Sequence, residues 1–121
     1  MRSVQQSLQQ LQTDFIDLML IHWPGTEDAP KNPPPCWQQP NNWTQCRADT
    51  WRALVELYRN GTLRAIGVSN YAVPHLQEMI DAGGLLPAVN QIENHPYFHQ
   101  GAHFVEMERK KSERVKAWMG R

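Results

Sequence analysis

This sequence lacks an excess of charge of either sign, because its twelve Lys and Arg residues are balanced by twelve Asp and Glu residues. Zero net charge argues against binding to nucleic acid or to a membrane surface through bulk charge. No apolar run approaches the roughly 20 residues of a membrane-spanning helix. Residues 1–6 also lack the apolar core of a signal peptide. We therefore predict a cytoplasmic protein with no nucleic-acid or membrane partner.

Cysteine is scarce, since only Cys36 and Cys46 occur, ten positions apart. That spacing matches neither a CxxC redox pair nor a zinc-binding framework, so we predict two free thiols in a reducing compartment. Three histidines stand four positions apart, but Pro96 interrupts any helix through them and no Cys or acidic residue completes a site. We therefore predict that no metal is bound at His95, His99 and His103.

Residues 14–24 are the stretch around which the other features are arranged. The stretch begins polar, runs through mostly apolar residues, and ends at His22, Trp23 and Pro24. This composition predicts a strand buried on both faces of a parallel sheet, which ends before Pro24 because proline cannot donate to the ladder. His22 therefore lies where a buried strand emerges, either as a cap that bonds nearby backbone or as part of a site.

Helices and strands alternate along the rest of the sequence, as judged from the spacing of apolar residues. Helices are predicted at residues 3–12, 49–60 and 74–82, and strands at residues 15–21, 62–68 and 88–92. Asp49 is a suitable N-cap for the second helix, and Pro74 fits the first turn of the third. Trp51 belongs to the apolar stripe of the second helix and is predicted to be core. The alternation predicts βαβ units and a parallel sheet of the α/β class.

Polar side chains follow each of the three predicted strands. His22 follows the first, Ser69 and Asn70 follow the second, and Gln91 lies near the end of the third. The carboxyl ends of parallel strands lie at the same edge of a sheet, so these side chains are expected to converge. This convergence favours the interpretation of His22 as a functional residue.

Two further segments each allow two interpretations. Residues 25–47 are predicted to form a long loop with five of the nine prolines, which either overhangs a site near His22 or is a surface insertion without a role. Within this loop, Trp37 and Trp43 either pack the loop down or line a pocket mouth. Residues 101–121 carry six basic and three acidic residues. This segment is predicted to be a solvated charged helix, the alternative being a binding site for an anionic partner.

Three stretches resemble signature motifs of the aldo-keto reductases. FIDLMLIHWP (residues 15–24) is similar to that family's IDLxLIHWP, RAIGVSNY (64–71) to RAIGVSN(F/Y), and PAVNQIENHPY (87–97) to PxVNQxExHPY. The resemblance covers roughly residues 3–100 and implies a partial (β/α)8 TIM barrel, from about the fourth to the sixth strand. Residues 1–100 are then a partial reductase barrel, and residues 101–121 a divergent charged tail.

The resemblance also implies roles for individual residues. His22 is similar to the active-site histidine that orients the substrate carbonyl, and Trp23 beside it is a candidate for the substrate pocket. Ser69, Asn70 and Gln91 are similar to residues that hold the nicotinamide carboxamide of NADPH. A carboxamide has one carbonyl acceptor and one amine donor, which hydroxyl and amide side chains satisfy together. The implied activity is NADPH-dependent reduction of an aldehyde or ketone to an alcohol.

The sequence also departs from the family pattern. The family's proton donor is a Tyr tuned by a Lys and an Asp, and none of Tyr58, Tyr71 and Tyr97 lies in that donor motif. We therefore expect these 121 residues alone to be inactive. Three strands also leave open edges and one uncovered face, so we expect marginal stability or self-association, with packing lost at Leu18, Leu20, Ile66 and Val89. The alternative function is a non-catalytic fragment, or an interaction module that binds a full-length relative.

Overall fold

The computed structural model describes residues 2–25, 36, 43–97, 106 and 109. Within this part of the chain, helices and strands alternate as the sequence predicts. The elements are α1 (Arg2–Leu11), β1 (Met19–Ile21), α2 (Trp43–Arg59), β2 (Ile66–Ser69), α3 (Val73–Asp81) and β3 (Asn90–Gln91).

The strands form one parallel sheet in the order β1-β2-β3. Leu20 lies opposite Gly67, and Ser69 lies opposite Gln91. An isolated parallel bridge between Ile16 and Leu63 continues the β1–β2 pairing toward its amino end. The predicted βαβ organisation is confirmed, and β2 is the central strand of the described sheet.

The helices cover one face of this sheet. Successive side chains of a strand point to opposite faces. Ile66 and Val68 of β2 point to the helix side, where they are 2% and 0% exposed. Two apolar clusters form there, the first with Val4, Leu54, Leu63 and Ile66, and the second with Val68, Tyr71 and Leu76. Met19 and Ile21 of β1 pack against the same clusters, so this face is the core.

The opposite face of the sheet is not covered by any other element of the described residues. A Cβ on Gly67 would stand 2.8 Å from Leu20 Cδ2 and 2.7 Å from Val89 Cγ1, so the side chains of Leu20 and Val89 meet on this face. Leu18 is 45% exposed and Val89 36% exposed. The predicted loss of packing is therefore seen at these two residues, but the prediction is wrong for Ile66, which faces the helices.

The strands are shorter than predicted, and β1 is not buried on both faces. Within β1 the side chains are only partly buried, because its other face has no covering layer in the described part of the chain. Before β1, Arg64 holds the chain: its guanidinium lies 3.6 Å from the Phe15 ring centroid and pairs with Asp17 at 2.9 Å. These contacts align residues 15–17 with the start of β2 without forming a continuous ladder.

Helix α2 begins earlier than predicted, and Asp49 is not its N-cap. The helix starts at Trp43, because the buried stripe continues one turn upstream through Cys46, which is 6% exposed. Asp49 instead lies within the helix, where its carboxylate accepts hydrogen bonds from Gln45 and Arg52. The Trp43 ring packs on Gly25, which holds the start of α2 against the residue that follows Pro24. Trp37 lies outside the described residues.

The two cysteines form a disulfide, and the prediction of free thiols is wrong. The Cα atoms of Cys36 and Cys46 are 5.1 Å apart and the sulfurs are bonded. Because α2 starts at Trp43, Cys46 lies in its first turn, and Cys36 approaches it there within the range that a disulfide requires. The bond closes a short ring across a sequence separation of 10 residues.

Several predictions concern residues that are largely outside the described ranges. From the charged tail, only Glu106 and Arg109 are described; both are helical, and they form an ion pair of 2.7 Å. His99 and His103 are not described. No helix of the described ranges is long and apolar enough to cross a membrane. The same ranges contain no group of three His, Cys, Asp or Glu side chains able to hold a metal ion.

Candidate functional site

Ser69 joins the tips of the central and third strands. It is the last residue of β2 and is 5% exposed. Its hydroxyl donates a hydrogen bond of 2.8 Å to the Gln91 carbonyl, which also accepts one of 2.9 Å from the backbone N–H of Asn70. The Gln91 backbone is thereby held by two neighbouring residues, while the residue itself is exposed.

Asn70 joins the tips of the first and central strands. Its backbone has φ +59°, a conformation that Asn tolerates better than most residues. Its side-chain amide donates to the His22 carbonyl at 2.9 Å and to the Ser69 hydroxyl at 3.1 Å. These bonds use the Nδ2 protons, and among the described residues nothing donates to Oδ1 of Asn70. An acceptor therefore stays open between the strand tips.

His22 and Trp23 lie together at the exit of β1. Their ring centroids are 5.5 Å apart, and Trp23 is 58% exposed. By strand alternation His22 falls on the same face as Leu20, and Ser69 and Gln91 fall on the same face as Gly67 and Val89. His22, Ser69 and Gln91 therefore share the open face of the sheet, at its carboxyl edge. Within the described residues the imidazole of His22 makes no hydrogen bond.

Arg47 holds the chain at Pro24, directly after His22 and Trp23. Its guanidinium donates to the Pro24 carbonyl at 3.3 Å and makes a fork of bonds to the Glu78 carboxylate, the shortest 2.7 Å. Helix α2 is thereby tied both to the exit of β1 and to α3. The sequence holds no local signal for this role, because the partners are 23 and 31 residues away.

Asn90 has a role that the sequence interpretation missed. Its side chain donates to the Tyr71 carbonyl at 2.9 Å and accepts from the Tyr71 N–H at 3.3 Å. This reciprocal pair holds the turn after β2 against β3. The signal in the sequence that could have indicated a role for Asn90 is its position next to Gln91 in the PAVNQ motif. Successive side chains of a strand point to opposite faces, however, so Asn90 and Gln91 do not act on the same side of the sheet.

Tyr71 is enclosed in the core instead of facing the strand tips. It is 2% exposed, and its ring packs edge-on against His75 at a centroid distance of 5.6 Å. Burial raises the pKa of Tyr71 to about 12, because desolvation disfavours the phenolate. At neutral pH the phenol therefore keeps its proton, and its burial separates it from the strand tips.

The chain matches the model of the Aldo/keto reductase family over residues 1–119. It belongs to the aldo-keto reductase family. It is 43% identical over 96 residues to the glyoxal reductase of Bacillus subtilis, covering 79% of this chain and 28% of that protein. It is 44% identical over 100 residues to 2,5-diketo-D-gluconic acid reductase B of a Corynebacterium species, covering 83% of this chain and 30% of that protein.

Solved aldo-keto reductases share the fold. An aldo-keto reductase from Brucella melitensis superposes with a TM-score of 0.69 at 32% identity, covering 89% of this chain and 35% of that one. An aldo-keto reductase of Bombyx mori in complex with NADP superposes with a TM-score of 0.70 at 28% identity, covering 90% and 32% of the two chains. The family resemblance and the partial (β/α)8 barrel are thus confirmed, and the chain spans about a third of these structures.

Proposed function

We propose that this chain forms the part of an NADPH-dependent carbonyl reductase that holds the nicotinamide carboxamide and orients the substrate carbonyl. The observation that supports the proposal is the hydrogen-bond network through Asn70. This network joins the exits of all three described strands, from the His22 carbonyl through Ser69 to Gln91. Such a network fixes side chains relative to one another, which is what positioning a cofactor and a substrate requires.

The polar atoms that remain at this edge fit a carboxamide. Oδ1 of Asn70 is open to accept from the carboxamide NH2, and the exposed side-chain amide of Gln91 can donate to the carboxamide oxygen. Ser69 holds both residues in place through bonds of 2.8 and 3.1 Å. When bound, NADPH would supply the hydride. The contribution of this chain is to fix which face of the nicotinamide ring meets the substrate.

His22 is the candidate for the substrate side of the site. An imidazole N–H beside a carbonyl oxygen can donate to it and stabilise the negative charge that develops during reduction. Trp23, which is 58% exposed next to it, would form an apolar wall of the substrate pocket. Relatives include a glyoxal reductase and methylglyoxal reductases, so we propose small aldehydes or ketones as the substrate class.

We further propose that these 121 residues alone do not complete the reaction. Reduction needs an acid to protonate the alkoxide. Tyr71 is enclosed in the core, Tyr58 lies on helix α2, and Tyr97 is 96% exposed beyond β3. Turnover of an aldehyde such as a nitrobenzaldehyde with NADPH, by the purified chain, would refute this part of the proposal.

The experiment that tests the cofactor site is a titration with NADPH followed by nicotinamide fluorescence, with circular dichroism to confirm folding. Loss of one hydrogen bond costs about 1 kcal/mol, so Gln91→Ala should weaken binding about fivefold. The matched control is Gln5→Ala, which removes an exposed amide from helix α1. A folded chain that binds no NADPH, or equal effects of the two substitutions, would contradict the proposal.

The second candidate function is that of a non-catalytic interaction module. It is favoured by the open sheet face with Leu18 and Val89 at its surface, and by the edges of β1 and β3, which have no further strand within the described residues. Such a face could bind a full-length relative or a second copy of this chain. Size-exclusion chromatography with and without a full-length homologue tests it, and the absence of both co-elution and self-association would exclude it.

A further inference from the structure

A groove of about 400 Å³ runs between α2 and α3, on the helix-covered side of the sheet. The two helices are held at one end of it by the Arg47–Glu78 ion pair of 2.7 Å. Further along, the Trp51 indole N–H donates to the Leu85 carbonyl at 2.8 Å. Helix α2 is therefore tied both to α3 and to the segment that follows α3, and the groove is part of the fold.

The floor of the groove is apolar. Trp51 and Val55 of α2 form one side, and Met79 and Leu85 form the other. All four are only partly buried, and the indole N–H is already bonded, so the surface that is left is apolar. A groove of this volume and lining suits a small ligand with an aromatic or aliphatic body of about two rings.

The rim of the groove is positively charged. Arg47, Arg52 and Arg59 line it, against one carboxylate, that of Glu78. Arg47 is committed to Glu78, and Arg52 pairs with Asp49 at 2.8 Å. Arg59 makes no ion pair with any residue that the structure describes.

The position of Arg59 favours a negative charge on the ligand. It lies seven residues after Arg52, on the same face of α2 and about 10 Å further along the helix. Val55 of the floor lies between these two arginines. A ligand that rests on the floor would therefore place one end beside the guanidinium of Arg59.

We propose that this groove binds a small amphipathic carboxylate, with its apolar body on Trp51 and Val55 and its carboxylate on Arg59. Arginine and carboxylate match in shape and charge through two parallel hydrogen bonds. The proposed contacts Trp51, Val55 and Arg59 all lie on α2 and not at the strand tips, so the proposal does not rest on NADPH binding. It adds a ligand site on the helical surface to the one proposed at the sheet edge.

The test uses two probes that differ only in charge. The full chain is titrated with 2-naphthoate and with the neutral 2-naphthamide, and binding is followed by tryptophan fluorescence and by amide chemical shifts of α2 and α3. We expect saturable binding of naphthoate, about tenfold tighter than naphthamide, with shifts confined to residues around the groove. Equal affinity for the two probes, or shifts elsewhere, would overturn the proposal.

Three variants assign the effect to the groove. Arg59→Gln should lower naphthoate affinity to that of naphthamide and leave naphthamide binding unchanged. Arg64→Gln removes the same charge outside the groove, where Arg64 pairs with Asp17, and should leave both affinities unchanged. Ala48→Phe adds bulk at an exposed position of the groove wall and should abolish both. Equal effects of Arg59→Gln and Arg64→Gln, or unchanged binding in Ala48→Phe, would show that the probes bind elsewhere.

Discussion

Gly67, in the middle of the central strand, is the glycine where we expect an added methyl group to lower the stability of the fold most. A Cβ there would stand 2.7 Å from the Val89 carbonyl oxygen and 2.8 Å from Leu20 Cδ2. The Leu20 side chain could rotate away, but the Val89 carbonyl is backbone of the adjoining segment. Gly67→Ala therefore forces the chain before β3 away from β2.

The cost can be worked out from the bonds that this movement stretches. The Val68 N–H donates to the Val89 carbonyl, the Asn70 N–H to Gln91 and the Ala88 N–H to Ile66, each at 2.9 Å. Each such bond contributes about 1 kcal/mol net, and overpacking a tight site costs about 1–3 kcal/mol. Because these bonds are stretched and not fully lost, we expect Gly67→Ala to lower the free energy of unfolding by about 3 kcal/mol, a change of about a hundredfold in the folding equilibrium.

Urea denaturation followed by circular dichroism measures this difference, and the chain provides its own controls. A Cβ added at Gly84 would meet nothing within 4 Å and φ there is not positive, so Gly84→Ala should be neutral or slightly stabilising. Gly61 has open space but φ +83°, so Gly61→Ala should cost about 1 kcal/mol. Unfolding of Gly67→Ala at the same urea concentration as Gly84→Ala would refute the proposed clash with the Val89 carbonyl.

Two further predictions concern pH and redox state. Burial lowers the pKa of His75 below 6.5, and Arg47 acts in the same direction. As the pH falls, the unfolded chain therefore takes up a proton at this histidine before the folded chain does. The stability present above pH 6.5 is lost as the pH falls through the folded pKa. The urea midpoint should therefore fall more between about pH 7.5 and 5.5 in the parent chain than in His75→Gln; equal slopes would contradict this. The Cys36–Cys46 bond closes a ring of about ten residues, so its reduction should lower the free energy of unfolding by about 3 kcal/mol. Dithiothreitol should lower the urea midpoint of the parent chain but not that of Cys36→Ser. A parent chain whose midpoint does not change would show that the bond contributes nothing to stability.

The sequence was informative where the signal was local. The apolar run that ends at His22 and the polar residues after β2 and at the end of β3 predicted three parallel strands and the edge where they end. The resemblance to aldo-keto reductases, carried by the same stretches, is confirmed. The roles of His22, Trp23, Ser69, Asn70 and Gln91 stay predictions that the NADPH titration and its variants address.

The features that the sequence did not predict depend on contacts across long separations. The sequence predicts a start of α2 that is six residues too late, because Asp49 is a good N-cap by type. In the structure the burial of Cys46 and the packing of Trp43 on Gly25 extend the helix. The disulfide was missed because compartment and spacing argued for free thiols, and only the fold brings the two Cα atoms within 5.1 Å. Arg47 carried no local signal at all.

The central strand links the stability of this chain to the proposed NADPH site. Ile66 and Val68 point to the helices and are almost fully buried, while Gly67 and Ser69 point to the open face. Ser69 can reach the Gln91 carbonyl at 2.8 Å only because Gly67, two residues earlier on the same face, lets the chain before β3 approach. The missing side chain at Gly67 is thus a condition for the network at the strand tips, and a substitution there should weaken NADPH binding as well as folding.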